Sequence, residues 1–267
     1  MTIIRPKKSL GQHFLKDLGI AQRIAETLSA YRGLPVLEVG AGTGVLTRFL
    51  LDEGHDLSVA EIDMASVNYL TQHFPALSGR IYAEDFLKMK PERLYDTKFC
   101  VIGNYPYYIA SQIFFKILEY KDRVVCCSGM IQKEVAERLS AAPGSRNSGI
   151  LSALIQPWYE VEYLFTVSEK VFDPPPKVKS AVIRMTRNSR TELGCDETLY
   201  KQVVKTSFNR RRKTLRNSMK PLLGNDCPYF SLPIFDKRPE QLSIEQFIEL
   251  TLIAGKYLEE TEIKPEL

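Results

Sequence analysis

The tetrapeptide Asn104-Tyr105-Pro106-Tyr107 holds the residues whose types and spacing could do the most specific chemistry. Asn104 offers a side-chain carbonyl, Tyr105-Pro106 offers a backbone carbonyl with its direction fixed by proline, and Tyr107 offers an aromatic face. Two acceptors on the two N–H bonds of an aromatic amine favour a pyramidal nitrogen, whose lone pair can point at a methyl sulfonium. Orientation and stabilisation of developing charge would then carry the catalysis. A polar turn with two surface tyrosines is the alternative.

A glycine loop follows the first apolar run of the sequence. Gly40, Gly42 and Gly44 stand between the run Pro35–Val39 and a helical pattern, in the spacing G-x-G-x-G. The third glycine comes one residue earlier than in the dinucleotide fingerprint G-x-G-x-x-G. Because glycine allows sharp turns and close approach of a ligand to the backbone, the loop predicts a binding site at the start of the following helix.

Two carboxylates follow the next two apolar runs. Glu61 comes about twenty residues after the glycine loop, where a carboxylate can accept both hydroxyl groups of a ribose. Asp85 can accept an adenine amino hydrogen, with Phe86 beside the ring. Because parallel strands bring their carboxyl ends to one edge of a sheet, we expect the glycine loop, Glu61 and Asp85 to border one cavity. Ile62, next to Glu61, is predicted to contact the same ligand.

Alternating strand and helix patterns position these residues. Strands are predicted at 35–40, 57–63, 80–85, 99–104, 124–132, 159–167 and 178–186, and helices at 45–53, 64–73 and 111–119. Such alternation predicts an α/β fold with a mostly parallel sheet. The last two strands have no evident helix between them, so we expect an antiparallel strand at one edge. The polar segment 188–196 is predicted to separate a first domain, 1–190, from a small all-helical domain, 191–267.

Positive charge is concentrated in one segment of a chain whose formal net charge is +4. No acidic residue interrupts the basic residues Lys205, Arg210, Arg211, Arg212, Lys213, Arg216 and Lys220. Five of them are predicted to contact RNA phosphates, namely Arg210, Arg211, Arg212, Lys213 and Arg216. A solvated helix face is the alternative.

Several classes of protein are disfavoured by the sequence. It contains no apolar run of about 18 residues, and no apolar stretch with a cleavage site follows its basic N-terminus. We therefore expect a cytoplasmic protein without a membrane partner. Cysteines stand at 100, 126, 127, 195 and 227 without a C-x-x-C pair, and the three histidines are scattered, so no metal site is predicted. A monomer is the simplest expectation for the assembly.

Six segments together resemble one known family. They are Lys8–Leu15 (KSLGQHFL), Leu37–Gly44 (LEVGAGTG), Asn104–Tyr107 (NYPY), Gln132–Leu139 (QKEVAERL), Val171–Val178 (VFDPPPKV) and Phe208–Leu215 (FNRRRKTL). In these segments, which extend through most of its length, the chain is similar to the KsgA/RsmA family of rRNA adenine N6,N6-dimethyltransferases. The resemblance implies a Rossmann-like class I methyltransferase domain that uses S-adenosylmethionine and releases S-adenosylhomocysteine.

The resemblance also implies roles for individual residues. Cofactor contacts are expected at Gln12, His13, Leu15, Gly40, Gly42, Glu61, Ile62, Asp85, Phe86 and Asn104. The reactive groups are those of Asn104, Tyr105, Pro106 and Tyr107, and Phe172 is expected to sandwich the target base against Tyr107. The implied substrate is a pair of adjacent adenosines near the 3′ end of 16S rRNA, within the immature 30S ribosomal subunit. The target adenine must leave its stack to reach Asn104.

The chain departs from the family pattern at three places. Tyr105 stands where leucine is usual, Glu84 stands where glycine is common, and Gly144–Gly149 lacks the usual aromatic residue. The mechanism needs only the backbone of Tyr105, so we expect activity to survive that change. The Gly144–Gly149 departure is expected to affect local RNA contacts and not the chemistry.

Three other functions remain open from the sequence. They are methylation of large-subunit rRNA, a ribosome-assembly checkpoint that binds immature subunits, and NAD-dependent oxidoreduction. The proline run Pro174–Pro176 and the basic C-terminal segment favour the small-subunit enzyme over its large-subunit relative. The glycine spacing and the lack of an evident acid-base group for hydride transfer disfavour the oxidoreductase.

Overall fold

The computed structural model describes residues 4–7 and 10–261, which divide into two compact units. The first unit takes in the described residues up to Ala136 together with Glu160–Arg187. The second takes in Glu137–Tyr159 and the described residues from Asn188 onward.

The segment Glu137–Tyr159 differs from the prediction, which placed it in the first domain. It belongs to the second unit because it packs with the later helices, and the hydroxyl group of Tyr200 donates to the carbonyl oxygen of Ala153 at 2.9 Å. The other division, after Arg187, lies close to the predicted boundary at residue 190.

Nine strands form two sheets within the described residues. They are β1 (Phe14–Leu15), β2 (Pro35–Val39), β3 (Asp56–Ala60), β4 (Ile81–Tyr82), β5 (Phe99–Asn104), β6 (Val124–Gln132), β7 (Tyr159–Val167), β8 (Phe172–Asp173) and β9 (Ser180–Arg187). The main sheet has the order β4-β3-β2-β5-β6-β9-β7. Pairing is parallel from β4 to β6, and β9 pairs antiparallel with β6, one place in from the outermost strand. The predicted α/β fold, mostly parallel with an antiparallel strand at one edge, is confirmed.

In the described ranges, ten α-helices surround this sheet or form the second unit. They are α1 (Leu18–Ala25), α2 (Val45–Asp52), α3 (Met64–His73), α4 (Ala110–Glu119), α5 (Lys133–Leu139), α6 (Ile150–Ile155), α7 (Glu197–Asn209), α8 (Leu215–Ser218), α9 (Lys220–Leu223) and α10 (Ile244–Thr261). Side chains cap several of them, as Asp63 does for α3 by accepting from the amide of Ala65 at 3.0 Å. Within the described part of the chain, no helix has the length and apolar content needed to cross a bilayer.

The central strands are buried on both faces. Val36 and Leu37 on β2 and Val101 and Ile102 on β5 are inaccessible to solvent. This is why their sequences are continuous apolar runs and do not alternate with polar residues. Since β2 pairs in parallel with both β3 and β5, the residues that follow these three strands lie at one edge of the sheet.

The C-terminal region is helical, as predicted. In the second unit α7 packs against α10, and the rings of Phe208 and Phe247 stack with centroids 5.9 Å apart. Tyr200 meets the same Phe247 ring edge to face at 6.5 Å. Aromatic packing therefore forms the centre of this helical unit.

The N-terminal segment pairs with a distant segment of the chain. β1 and β8 form a separate two-stranded sheet, in which Phe14 is opposite Asp173 and Leu15 is opposite Phe172. No sequence pattern predicted this pairing, because two-residue strands are too short to show a period.

Candidate active site

A cavity of about 410 Å³ opens in the first unit where β2, β3 and β5 end. Its volume is within the range of small-molecule binding sites. The predicted cofactor-binding and reactive residues all line this cavity, with the exception of Phe172. The structure therefore brings together residues that lie as far apart in the sequence as Gln12 and Tyr107.

The glycine loop forms one wall of the cavity. Gly40, Gly42 and Gly44 have φ angles of 73°, 55° and 77°, a region that favours glycine. A Cβ atom on Gly44 would lie 2.3 Å from the ring of Phe74, so packing excludes any side chain there. A Cβ atom on Gly40 would meet only Pro106, at 4.0 Å, because the space beside Gly40 belongs to the cavity.

Glu61 is held in one orientation by backbone amides. Its Oε2 accepts a hydrogen bond from the amide of Gly42 at 2.9 Å, and its Oε1 accepts one from the amide of Asp63 at 2.8 Å. Burial raises the pKa of this carboxyl, although the amide hydrogen bonds oppose the rise. Each oxygen keeps a second lone pair for a ligand hydroxyl. Beside it, Ile62 exposes 53% of its surface and provides an apolar wall.

Asp85 and Phe86 lie on the loop after β4. This strand ends at Tyr82, earlier than predicted, and the carboxylate of Asp85 is held by a hydrogen bond from the amide of Leu87 at 3.0 Å. That bond involves Oδ1, and Oδ2 has no donor among the described residues. Asp85 can therefore accept an amino hydrogen from a ligand, while the buried ring of Phe86 lies next to it in the cavity wall.

The N-terminal segment orients the side chain of Asn104. The Nδ2 atom of Asn104 donates to the carbonyl oxygen of His13 at 3.2 Å. This leaves Oδ1 as an acceptor with no donor among the described residues. Nearby, the carbonyl oxygen of Pro106 accepts from the amide of Ile109 at 3.2 Å, so the carbonyl of Tyr105 is the better candidate for the second acceptor.

The side chain of Tyr105 belongs to the core and not to the reactive surface. Its hydroxyl donates to the carbonyl oxygen of Ser128 at 2.8 Å, and its ring is fully buried. The ring fits because Gly103 and Gly129 leave room, since a Cβ atom on either would lie 2.9 Å or less from it. Tyrosine in place of leucine is thus accommodated behind the backbone that borders the cavity.

His13 and Tyr107 form a stacked pair in the lining of the cavity. Their ring centroids are 5.7 Å apart with an angle of 26°. The Tyr107 hydroxyl shares a hydrogen bond of 2.6 Å with Ser180 Oγ, and His13 Nδ1 donates to the carbonyl oxygen of Pro174 at 2.7 Å. Burial raises the pKa of Tyr107, so the phenol stays neutral. One face of Tyr107 is therefore supported by protein.

Phe172 does not lie opposite Tyr107 in this structure. Its side chain is 1% exposed and belongs to the hydrophobic core, and it does not line the cavity. The reason is the pairing of β8 with β1, which sets Phe172 beside Leu15. The expected sandwich of a base between Phe172 and Tyr107 remains a prediction, and it requires β8 to move.

Asp63 holds the N-terminal segment against the cavity, although it belongs to none of the motifs that predicted the site. Its Oδ1 accepts from Lys7 Nζ at 2.6 Å, and its Oδ2 accepts from Gln12 Nε2 at 3.1 Å. Burial alone would raise the pKa of Asp63, but hydrogen bonds from Lys7 and Gln12 lower it below its usual value. An aspartate directly before a helical pattern was the available signal, and it indicated only a helix cap.

The predicted RNA-binding residues lie in the second unit. Residues 210–213 form a turn between α7 and α8 and not a helix face. The guanidinium group of Arg211 donates to the carbonyl oxygen of Arg146, which brings a further arginine to this turn. Arg216 forms an ion pair of 2.5 Å with Asp236, so its charge is partly neutralised.

Comparison with known proteins identifies the family of this chain. The family model described as ribosomal RNA adenine dimethylase matches residues 3–253. The chain belongs to this family. Among its curated relatives, ribosomal RNA small subunit methyltransferase A of Parabacteroides distasonis is 73% identical over 259 residues, which cover 97% of each chain.

Solved structures of dimethylases and related enzymes share the fold. A dimethyladenosine transferase from Plasmodium falciparum is 25% identical with a TM-score of 0.74, over 92% of this chain and 98% of that one. The 23S rRNA methyltransferase ErmE is 26% identical with a TM-score of 0.67, over 91% of this chain and 99% of that one. The fold is thus common to dimethylases and to at least one enzyme named for large-subunit rRNA.

In this dimethylase, replacing Asp63 by asparagine is expected to loosen the N-terminal segment. Asparagine caps a helix as well as aspartate does, so α3 keeps its cap, whereas the ion pair with Lys7 is lost. We expect the backbone amides of Gln12 to Leu15 to exchange hydrogen about 10-fold faster. Hydrogen exchange by mass spectrometry measures this, with Asp52→Asn, at an exposed position of α2, as the matched control. Unchanged exchange rates at these amides would contradict the role of Asp63 in holding the N-terminal segment in place.

Proposed function

We propose that this chain transfers methyl groups from S-adenosylmethionine to N6 of two adjacent adenosines near the 3′ end of 16S rRNA. The observation that carries the proposal is the orientation of Asn104, whose amide nitrogen is bound to His13 while Oδ1 remains an acceptor at the cavity. With the carbonyl of Tyr105, it provides two acceptors for one exocyclic amine. Membership of the dimethylase family supports the reaction, and the name of the 73% identical relative supports the small-subunit substrate.

The opposite end of the cavity fits the cofactor. Glu61 would hold the ribose hydroxyls, Asp85 the adenine amino group, and Ile62 and Phe86 the faces of the adenine ring, while Gly40 leaves room beside the backbone. When bound, S-adenosylmethionine supplies a methyl group on a positively charged sulfur, and S-adenosylhomocysteine is the product. No cluster of three potential metal ligands occurs among the described residues, and the proposed reaction has no step that uses a metal.

The chain's own groups prepare the amine for attack. Asn104 Oδ1 and the Tyr105 carbonyl oxygen accept hydrogen bonds from the two N–H groups of the amine. This geometry turns the nitrogen lone pair out of conjugation with the ring. Tyr107 stacks on the base, and His13 supports Tyr107 from behind. The two carbonyl oxygens also stabilise the positive charge that develops on the nitrogen. The first transfer leaves a positively charged methylamine nitrogen, which loses one proton to water and regains its lone pair. One N–H then remains, so a single acceptor orients the amine for the second transfer.

The identity of the substrate is tested by comparing methylation of three candidate substrates. Labelled S-adenosylmethionine is incubated with unmethylated 30S subunits, naked 16S rRNA and naked 23S rRNA, and dimethyladenosine is measured in digests. We expect dimethyladenosine in the RNA of the 30S subunits. Label only in 23S rRNA would contradict the proposal and assign the enzyme to large-subunit methylation. Tight binding to 30S subunits without label would contradict methylation altogether.

We further propose that residues 191–267 form the RNA-binding domain and that the protein acts as a monomer on immature 30S subunits in the cytoplasm. The turn at 210–213 supports this, because Arg210, Arg212 and Lys213 are exposed in it and no acidic side chain interrupts it. The predicted phosphate contacts stay a proposal for all five basic residues. Arg216 is the weakest candidate among them, since Asp236 already pairs with it.

The double substitution Arg210→Ala and Arg212→Ala is expected to weaken binding to 30S subunits. Each lost phosphate contact should reduce the slope of log affinity against log salt by about 1. Filter binding between about 50 and 200 mM salt measures that slope. Arg48→Ala, on α2 of the first unit, is the matched control and should leave the slope unchanged. A double variant with the wild-type slope would show that this turn does not contact phosphate.

A further inference from the structure

Tyr108 stands at the rim of the cavity with its ring uncovered. It exposes 58% of its surface, lies in the 3-10 turn Tyr107–Ile109, and lines the same cavity as the reactive residues. Its neighbour Tyr107 differs, because that ring is stacked on His13 and its hydroxyl is bound to Ser180. The turn therefore presents one aromatic side chain tied to the protein and one that is open to a ligand.

The backbone at Gly11 supports one side of the Tyr108 ring. A Cβ atom on Gly11 would lie 2.9 Å from Cδ1 and 3.2 Å from Cε1 of Tyr108, so the ring rests directly against this glycine. Gly11 has a φ of 56°, which also favours glycine. The Tyr108 hydroxyl makes no hydrogen bond to the described residues. The ring is thus held from one side and free on the rest of its surface, without a structural role for its hydroxyl.

We propose that Tyr108 is a second stacking platform, which binds the nucleotide next to the target adenine while that adenine occupies the cavity. This inference rests on the proposed function. A flipped adenine leaves its neighbour without a stacking partner, and exposed aromatic rings bind unpaired bases in RNA. Gln112 lies about one turn further along, exposed and in the same cavity rim, and its amide can bond a base edge. The platform would hold each of two adjacent adenosines while the other reacts.

The kinetic test compares Tyr108→Ala, Tyr108→Phe and the control Leu18→Ala, which removes a side chain that is 50% exposed on α1. We expect Tyr108→Ala to raise KM for unmethylated 30S subunits about 10-fold or more. Tyr108→Phe, which keeps the ring, should stay within about twofold of wild type, as should the control. The Kd for S-adenosylmethionine, measured by calorimetry, should not change. Wild-type KM in Tyr108→Ala, or an equal rise in the cofactor Kd, would overturn the proposal.

A second measurement detects the stacking itself. An RNA stem-loop carries 2-aminopurine next to the target adenine, and its fluorescence is recorded on titration with enzyme and S-adenosylhomocysteine. Stacking on Tyr108 should quench the probe, Tyr108→Ala should abolish the quenching, and Asn104→Ala should retain it. If wild type methylates 30S subunits but Tyr108→Ala quenches as wild type does, only the present inference fails. If wild type neither methylates nor binds RNA, the proposed function fails and this inference with it.

Discussion

Replacing Asn104 by alanine is expected to lower kcat for methyl transfer by about 10²- to 10³-fold, the usual cost of removing a group that stabilises transition-state charge. The side-chain oxygen of Asn104 is one of two acceptors for the target amine, and it is held in place through the bond from Nδ2 to His13. Without it, the amine nitrogen stays conjugated with its ring and is a poor nucleophile. Single-turnover methylation of 30S subunits measures the loss.

Two further measurements keep this prediction specific to catalysis. The Kd for S-adenosylhomocysteine should rise by no more than about 10-fold, the cost of one lost hydrogen bond at Asn104, because Glu61 and the glycine loop are unchanged. Asn68→Ala, an exposed asparagine on α3, is the matched control and should be fully active. A turnover within about 10-fold of wild type in Asn104→Ala would contradict the role of Asn104 as an acceptor.

Replacing Glu38 by glutamine is expected to stabilise the protein at alkaline pH. Glu38, on β2 two residues before Gly40, is buried and accepts a hydrogen bond from Thr47 Oγ1 at 2.6 Å. Burial raises the pKa of its carboxyl from 4.5 to about 8, against the opposing effect of the Thr47 hydrogen bond and with a contribution from Glu61. At neutral pH the folded protein therefore holds a neutral Glu38, whereas the unfolded chain holds a charged one.

Folding thus takes up a proton at Glu38 between pH 4.5 and about 8. The stability contributed by the neutral carboxyl is fully present below pH 4.5, declines as the pH rises, and is lost above the folded pKa. Glutamine has nearly the same shape and does not titrate. We expect the free energy of unfolding of Glu38→Gln, relative to wild type, to increase by about 4 kcal/mol between pH 5 and 8.5.

Equilibrium denaturation of both proteins across this pH range measures the difference. Glu119→Gln, on an exposed position of α4, is the control and should show no such pH dependence. Carboxyl carbon NMR of Glu38 provides a direct test, since its midpoint should lie near pH 8. A midpoint near 4.5, or a variant whose relative stability does not depend on pH, would contradict the prediction.

The sequence by itself determined the limits of several strands and helices and the residues that follow the strands, because local patterns of apolar and polar residues specify them. The strand β5 and the helix α3 have the predicted limits, because apolar runs and helical periods reflect burial by the nearest neighbours. The glycine loop, Glu61 and Asp85 were predicted to border one cavity because parallel strands align their carboxyl ends, and all of them line it. The alignment of parallel strands thus allowed local sequence patterns to predict which residues lie near one another at the site.

Only the tertiary structure decided features that join distant segments. The acceptor orientation of Asn104 depends on the backbone of His13, the burial of Phe172 depends on pairing with β1, and the second function of Asp63 depends on Lys7. In each of these contacts the two residues lie more than fifty positions apart in the sequence. Hydrophobic period and residue type report whether a side chain is buried or where an element ends. They do not report which distant atom completes a hydrogen bond, because that partner is chosen when the whole chain packs.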